Sequence, residues 1–533
     1  MDRLHPSCGC CGQSRRAFLA NCASCVGATT ALSSGLIVPK SFGADPSVVK
    51  ARTKIRVVFV LNAPVTPKPD WPHINFDANP VMEKTMNALT TGCPEIEFVQ
   101  SNACGLDLSH EAKLKVAEDI RVADQAAGDI DGYLVFQIAC WNPAIHPLVA
   151  SGKPVLFADF LYGGSGGFLI ETARFLRAKA ENFAHLSSGN LAHLVAAAKC
   201  LPLAKTGGNK AFVDGVARLR KDILDGVNVD MRCVDDNFDM LSIDDLRKEL
   251  KTKKMLVYKD QKDEQRVEPL GITIVQRPFA ELNELWDNAD KDQAQEILKR
   301  WKSGAAAILD VSDDTLEKSA RMYLAMKQCL KNHDACAITI NCLGGFYGGH
   351  LFAYPCLGFH ELLNEGMIGA CESDAISART MIAMTTLTKG RPGFISDPVM
   401  DIAAKEIIYA HCVAPTKAFG PNGKANPFTI LTHSEDRQGA SLRSTLPSGY
   451  MTTTLQIAPY FKQIVFHQAK TIGNSTDDRA CRTKLVAVPV GDYEKLYTEW
   501  DRWNWHRVTY YGDLKEPVFA FADALGWEVV EEA

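Results

Sequence analysis

The apolar run IRVVFVL at residues 55–61 decides the fold class, because a short run rich in β-branched residues is typical of a buried strand. Comparable apolar runs follow it in the first third of the chain, at residues 96–99, 133–138 and 155–157. Helix-like stretches such as residues 110–127 separate these runs. The alternation predicts an α/β domain with a doubly wound parallel sheet, which we place at residues 45–162.

A second series of apolar runs repeats the pattern further along the chain. Its members lie at residues 229–234, 255–258, 272–275, 305–309 and 337–340. We therefore expect a second doubly wound α/β domain at residues 163–345. This domain begins near the glycine-rich segment 162–168, which lacks the dinucleotide-binding spacing and a lysine partner. We interpret that segment as a hinge or crossover.

The last part of the chain has a different pattern. From Gly449 onward it is rich in threonine, valine and short apolar runs, which favours an antiparallel β barrel or sandwich over further parallel units. Residues 346–533 are therefore expected to form a C-terminal β-rich domain. The residues that point to chemistry lie in this same part of the chain.

The composition excludes several classes of protein. Of the 533 residues, 46% are hydrophobic and 23% are charged, which is ordinary for a folded globular protein and unlike a fibrous or disordered one. The formal net charge of −5 indicates no basic surface for nucleic acid, so we expect no nucleic-acid partner. Beyond the N-terminal region, no segment contains the roughly 18 apolar residues that a transmembrane helix needs.

The N-terminal region predicts export. Arg15 and Arg16 lie in the sequence SRRAFL, an apolar stretch extends to Val38, and small residues ending at Ala44 resemble a cleavage site. Residues 1–44 are therefore predicted to be a twin-arginine signal peptide, with the twin-arginine export machinery as a partner and the periplasm as the destination. The alternatives are a disordered tail or a retained signal that anchors the protein to a membrane.

Two carboxylates and an imidazole in the third domain point to a metal site. Glu372 precedes a helix that Ser373 and Asp374 can cap, Asp397 follows a short apolar run, and His506 lies near the C-terminus. Hard oxygen ligands with one nitrogen suit a divalent cation such as Mn²⁺ and leave coordination positions for a substrate. The pattern predicts a metal-dependent enzyme, unless the two acids are unrelated capping and turn residues.

Several short motifs resemble one enzyme family. In chain order they are NCL at residues 341–343, PC at 355–356, ELLNEG at 361–366, ACESD at 370–374, GRP at 390–392, AHC at 410–412 and CRT at 481–483. Their order and spacing resemble the C-terminal half of L-fucose isomerase and its relatives. The ending HRVTYYGD at residues 506–513 is similar to the histidine-containing tail of L-fucose and, more distantly, L-arabinose isomerases.

The resemblance implies a role for each matching position. Glu372 and Asp397 would bind Mn²⁺ and also carry protons between C1 and C2 of an open-chain sugar. His506 would be the third protein ligand. His411 matches a family histidine that either binds the metal or lies beside its ligands. Trp505 is a candidate substrate contact because aromatic faces stack on sugar C–H groups, although packing would explain it equally well.

The resemblance also implies an architecture and a reaction. The family has two α/β domains followed by a β-rich domain, and its sites form where subunits meet in hexamers or trimers, so we expect a homo-oligomer. A cation bridging O1 and O2 stabilises the ene-diolate that forms when a base removes a proton from carbon. The expected activity is aldose–ketose isomerisation. Ser373 stands where the family usually has glycine, a difference that bears on substrate fit.

Two other functions are compatible with the same residues. An exported, non-catalytic sugar-binding protein would also have two α/β domains with a crevice between them. An epimerase or a carbon–carbon lyase acting on a sugar acid would use the same metal and the same ene-diolate. The sequence does not identify the sugar.

Overall fold

The computed structural model describes residues 52–105, 107–260 and 263–533. The predicted signal peptide, residues 1–44, lies outside the described residues. Within these ranges the chain forms two mainly parallel sheets, a small three-stranded sheet and a large antiparallel sheet. None of the helices in the same ranges is both long and apolar enough to cross a membrane.

The first sheet has five parallel strands. They are β1 (Thr53–Leu61), β2 (Ile96–Cys104), β3 (Gly132–Gln137), β4 (Val155–Asp159) and β5 (Phe183–Leu186). The spatial order is β2-β1-β3-β4-β5. Between the strands run α1 (Asn79–Gly92), α2 (His110–Ala127), α3 (Ile145–Val149) and α4 (Ser165–Arg177). The four predicted strands and the predicted helix are confirmed, because the central apolar runs are buried within a sheet covered by helices.

The glycine-rich segment 163–167 is a crossover, since it leads into α4 between two strands of the first sheet. Glycine is needed there because a side chain at Gly167 would overlap the carbonyl oxygen of Cys140. The helix therefore lies close against the loop that follows β3. The border predicted between residues 162 and 163 falls between β4 and β5, and the domain boundaries stay predictions.

The second sheet follows α5 (Leu191–Ala198), α6 (Leu203–Asp225) and α7 (Ile243–Leu250). The next strands are β6 (Lys254–Tyr258), β7 (Glu264–Val267), β8 (Thr273–Arg277), β9 (Ala307–Leu309), β10 (Ala337–Ile340) and β11 (Ile368–Ala370). The helices among them are α8 (Phe279–Asp287), α9 (Lys291–Gly304), α10 (Asp313–Asn332), α11 (Cys342–Tyr347) and α12 (Cys356–Asn364). The sheet has the order β11-β10-β6-β8-β7, and only β7 runs antiparallel to its neighbour.

Two of the strands predicted for this sheet are wrong. Residues 229–234 form no strand; apart from one isolated bridge between Val234 and Tyr450 they are irregular and largely exposed. Residues 305–309 do contain β9, but β9 pairs with a strand from the third part of the chain. Both runs are apolar enough to suggest a strand, whereas the pairing partner depends on the tertiary fold.

The third part of the chain contains a closed antiparallel barrel. Its strands are β12 (Phe394–Asp401), β13 (Glu406–His411), β16 (Met451–Ala458), β17 (Gln463–Asn474), β18 (Thr483–Pro489) and β19 (Arg507–Tyr511). The order is β16-β19-β12-β13-β18-β17, and pairing of β17 with β16 closes the barrel. The other elements here are α13 (Ala375–Leu387), β14 (Phe428–Leu431), β15 (Ser441–Ser444), α14 (Leu496–Glu499), α15 (Lys515–Leu525) and β20 (Glu528–Glu531). The predicted β-rich domain is confirmed as a barrel.

Helix α13 connects the second sheet to the barrel. Ten of its 13 residues are buried, and it contacts β10 and β11 on one side and β16 and β19 on the other. Arg379 on this helix forms a buried ion pair with Glu268 beside the second sheet. A helix enclosed in this way holds its N-terminus in a defined position, and the motif at residues 371–374 lies there.

The loop that follows β1 packs against the barrel. Trp71 in this loop is 7% exposed and lies in an apolar cluster with Ala410 and Cys481. The amide of Ile74 donates to the carbonyl oxygen of Glu435 at 2.6 Å. A loop at the carboxyl edge of the first sheet therefore lies beside residues of the third part of the chain.

Candidate active site

Glu372 and Ser373 follow β11 in an unusual backbone conformation. Their φ angles are 62° and 54°, in the left-handed region where a side chain costs about 1–2 kcal/mol per residue and glycine does not. The amide of Ser373 donates to the carbonyl oxygen of Ile340 at 2.8 Å, which joins the turn to the end of β10. This geometry explains why glycine suits position 373.

Asp374 has two functions at the start of α13. One carboxylate oxygen, Oδ1, accepts from the amides of Ile376 and Ser377 at 2.9 Å each, so Asp374 is the predicted N-cap. The other oxygen, Oδ2, accepts from Asn504 at 2.9 Å and lies 2.9 Å from Nδ1 of His506. The second function was not predicted from the sequence. It fixes the tautomer of His506 so that Nε2 faces away from Asp374.

Asp397 and His506 meet because their strands are neighbours in the barrel. Asp397 lies in β12, His506 immediately precedes β19, and these two strands pair. Nε2 of His506 is 3.1 Å from Oδ1 of Asp397. The indole of Trp505 donates to the same oxygen. The Sγ of Cys481 lies 3.9 Å from Oδ2. Trp505, predicted as a substrate contact, thus touches a predicted ligand directly.

The charges around His506 balance one another. Burial alone would lower the pKa of His506, but Asp397, Asp374 and Glu372 outweigh it and raise that pKa well above its usual value. Burial would raise the pKa of Asp397, yet His506 brings it below its ordinary value. Asp397 is therefore held ionised. The positive charge of protonated His506 therefore stabilises the ionised forms of Asp374 and Asp397.

Glu372 differs from Asp397 in its charge state. Its side chain is 30% exposed, and its carboxylate lies 3.7 Å from Nε2 of His506 and 3.6 Å from Nε2 of His411. Burial and the neighbouring charge of Asp397 raise the pKa of Glu372 well above its usual value, against the opposing effect of His506. Two carboxyl groups with pKa values displaced in opposite directions are suited to separate acid–base roles.

His411 ends β13, which pairs with β12, so its ring lies 5.3 Å from that of His506. The amide of Cys412 donates to Nδ1 of His411 at 3.0 Å. Since an accepting Nδ1 carries no proton, the neutral ring carries its proton on Nε2. This Nε2 is buried, has no hydrogen-bond partner, and lies 3.6 Å from Glu372. In this state Nε2 of His411 is a hydrogen-bond donor, and it would have to lose its proton to bind a metal.

Two overlapping groups of donor atoms are each close enough to hold a cation, and His411 belongs to both. Those of Asp397, His411 and His506 lie within 4.8 Å of one another, as do those of Cys371, Glu372 and His411. Nε2 of His506 is buried and faces Oδ1 of Asp397 at 3.1 Å. Carboxylate oxygens and one imidazole nitrogen suit a hard divalent cation, which would replace the proton on that nitrogen. The predicted residues Glu372, Asp397, His506, His411 and Trp505 therefore come together in one place.

Several residues at the site were not identified from the sequence. Asp70 lies in the loop after β1, Trp141 follows β3, and Glu435 lies between β14 and β15. Tyr347 at the end of α11 donates to Glu435 at 2.7 Å. The available signal was the position of Asp70 and Trp141 just beyond the carboxyl ends of parallel strands, where α/β proteins commonly bind ligands.

Comparisons with known proteins point to sugar isomerases. No protein-family model matches the chain. A sulfoquinovose isomerase from Clostridium sp. (strain MSTE9) is 25% identical over 284 residues, which is 50% of this chain and 60% of that protein. Sulfoquinovose isomerases from Priestia aryabhattai and Alkalicoccus urumqiensis are 26% and 29% identical over 148 and 145 residues, 27% of this chain and 32% of each relative. The chain thus matches about a third to three-fifths of these relatives' length.

Among solved structures, an ABC transporter solute-binding protein from Agrobacterium vitis, bound with α-D-tagatopyranose, is 9% identical. The match covers 62% of this chain and 86% of that one, with a TM-score of 0.16. A similarity at this level bears on neither the fold nor the function.

Proposed function

We propose that the protein is a metal-dependent aldose–ketose isomerase that acts on an open-chain sugar. The observation that carries the proposal is the meeting of Glu372, Asp397 and Nε2 of His506 at the barrel. The similarity to sulfoquinovose isomerases supports the same reaction class. Mn²⁺ is the proposed ion, because carboxylates with one imidazole suit a hard cation. Homo-oligomeric assembly and periplasmic export are proposals from the sequence.

Glu372 and Asp397 would have different roles in the reaction. Asp397 is held ionised by His506, and Trp505 fixes its orientation. The carboxyl group of Glu372 is partly exposed and lies beside His411 and His506, so in its ionised form it is suited to take a proton from one carbon and return it to the next. The bond to hydrogen breaks at C2 of the aldose and re-forms at C1, while the hydroxyl proton moves from O2 to O1.

His411 and His506 have different tasks in this scheme. Nε2 of His411 carries a proton and has no partner, so it would donate to a substrate oxygen or to Glu372. His506 is oriented by Asp374 and offers Nε2 as a ligand. A divalent cation bound beside it would supply charge stabilisation for the ene-diolate. The chain's own residues would position the sugar and move the protons.

Solvent exchange tests this proposal. The full chain is loaded with Mn²⁺ and incubated in deuterated water with a panel of aldoses and ketoses. Incorporation of deuterium at C1 or C2 together with formation of the isomeric sugar is the expected result. Exchange with inversion at one carbon and no change of carbonyl position would indicate an epimerase instead. Absence of exchange with every sugar, while metal and sugar both bind, would leave a sugar-binding protein.

A further inference from the structure

Two thiols meet beside the candidate active site. The sulfur atoms of Cys342 and Cys371 lie 3.0 Å apart, and both side chains are buried. They come together because β10 and β11 are parallel neighbours, and the two cysteines follow the ends of these strands at the same edge of the sheet. The sulfur–sulfur distance in a disulfide bond is about 2.0 Å, so a movement of about 1 Å would close the bond.

Hydrogen bonds hold the main chain on both sides of this pair. The hydroxyl group of Thr339 donates to the carbonyl oxygen of Cys371 at 3.3 Å. The amide of Glu372 donates to the sulfur of Cys342 at 3.4 Å. The turn that carries Glu372 is thus already attached to Cys342, and the two sulfurs stay close together because their backbones are fixed.

The sulfur of Cys371 lies near the open part of the site. The donor atoms of Cys371, Glu372 and His411 lie within 4.8 Å of one another. The side chain of Glu372 is 30% exposed, whereas Cys342 is fully buried. A small oxidant that enters the candidate site would therefore reach Cys371 first, and Cys342 would already be in contact with the oxidised sulfur.

Other buried thiols near the site have different partners. In the part of the chain that the structure describes, all twelve cysteines are free thiols. The sulfur of Cys412 lies 3.4 Å from the hydroxyl group of Ser434, and that of Cys481 lies 3.9 Å from the carboxylate of Asp397. Cys412 and Cys481 also interact with each other, so they are the competing pair for oxidation.

We infer that Cys342 and Cys371 form a reversible disulfide with hydrogen peroxide as the oxidant, and that this bond holds the turn carrying Glu372 against the start of α11. Peroxide converts one thiol to a sulfenic acid and releases one water; the second sulfur then displaces the hydroxyl group, which leaves as a second water. The two thiols thus lose two electrons and two protons to one peroxide. An oxidising compartment, such as the periplasm proposed from the sequence, preserves such bonds. The inference goes beyond the proposed isomerase function and does not depend on it.

Peptide mapping under non-reducing conditions tests the inference. The folded full chain is treated with hydrogen peroxide, the remaining thiols are alkylated, and the digest is searched for a peptide pair that joins residues 342 and 371. A sample denatured before oxidation shows which crosslinks form without the fold. Cys342→Ser and Cys371→Ser remove the bond, and Cys412→Ser, another buried thiol near the site, is the matched control. The melting temperature of each protein is measured before oxidation, after it, and after reduction with dithiothreitol.

We expect the 342–371 crosslink in folded wild type and in Cys412→Ser, with loss of the crosslink on reduction. Closing a loop of about 30 residues should raise the melting temperature by about 2–6 °C in these two proteins and not in Cys342→Ser or Cys371→Ser. Absence of this crosslink from the folded protein, or a crosslink between Cys412 and Cys481 in its place, would overturn the inference. An equal rise in Cys342→Ser would show that the bond does not stabilise the turn. Mapping of the wild type decides the matter even if a serine variant fails to fold.

Discussion

Asp374 caps helix α13 and also holds His506, with its Oδ2 atom 2.9 Å from Nδ1 of the imidazole. The same carboxylate therefore connects the end of the second sheet, the central helix and the last strand of the barrel. A ligand histidine that donates its other ring nitrogen to a carboxylate is fixed in tautomer and orientation. The geometry makes Asp374 a positioning residue for the proposed metal.

Asp374→Asn should weaken metal binding while largely retaining the helix cap. Asparagine caps helices about as well as aspartate, but it is a poorer acceptor for the imidazole. We expect metal affinity to fall about 10–100-fold, as is usual for partners of metal ligands. Competition titration against a metal-binding dye measures it. Asp290→Asn, at the exposed N-cap of α9, is the matched control and should leave metal affinity unchanged. Equal affinity in both variants would remove the positioning role.

Glu372→Gln and Asp397→Asn should lose far more turnover than substrate affinity. Both replacements keep the shape of the side chain, whereas neither amide can carry the proton. A positioned general base contributes about 10²–10⁴-fold in rate. Deuterium exchange and sugar binding are measured on the same samples, and elemental analysis of Asp397→Ala reports whether metal is lost. Exchange at the wild-type rate in both amide variants would mean that proton transfer occurs elsewhere.

His411→Ala should reduce turnover without removing metal. The Cys412 amide donates to Nδ1, so Nε2 is protonated and acts as a donor. The expected loss of turnover is about 10–100-fold, on the scale of residues that support metal ligands. Metal content and exchange rate are measured together, with the exposed His110→Ala as control. Loss of the metal in His411→Ala would show instead that the ring turns and binds it.

The buried pair of Arg507 and Glu532 should control acid stability. Burial would raise the pKa of Glu532, but the charge of Arg507 and a hydrogen bond with His467 lower it to about 2. A depressed folded-state pKa gives stability that is present above the unfolded value of about 4.3 and is lost as the pH falls toward 2. Glu532→Gln should therefore cost about 3 kcal/mol at pH 7 and progressively less below pH ~4.

Denaturant unfolding from pH 7 down to pH 2.5 measures this difference. Glu531→Gln is the matched control, since Glu531 forms an exposed ion pair with Lys515 that should contribute under about 1 kcal/mol. A cost for Glu532→Gln that does not change with pH would contradict the linkage between this carboxylate and folding.

Export is tested independently of the enzyme. A fusion of residues 1–44 to a reporter that is active only outside the cytoplasm should reach the periplasm. Replacement of Arg15 and Arg16 by lysine should block it, because the pathway reads the arginine pair. As a control, the fusion is extended to residue 60 and only Arg52 is replaced. Cytoplasmic retention of the unaltered fusion would remove the periplasmic assignment.

Much of the fold was predictable because local pattern determines it. The central strands of the first sheet are continuous apolar runs. A strand that is buried on both faces of a parallel sheet is apolar along its whole length, so its sequence alone indicates it. Asp374 was recognisable as a cap from its own neighbourhood in sequence. The two wrong predictions, at residues 229–234 and 305–309, concern which segments pair as strands of the second sheet. Strand pairing depends on partners far along the chain.

For the candidate site, the sequence by itself identified the residues that the structure brings together: Glu372, Asp397, His506, His411 and Trp505 were all named from residue type and motif. Only the tertiary structure decided how they are arranged. The contact of Asp374 with His506 joins residues 132 positions apart, and the donation of Cys412 to His411 fixes a proton position. Asp70 and Trp141 lie in loops that follow strands of a different sheet. Such contacts arise from the packing of whole elements, which local composition does not encode.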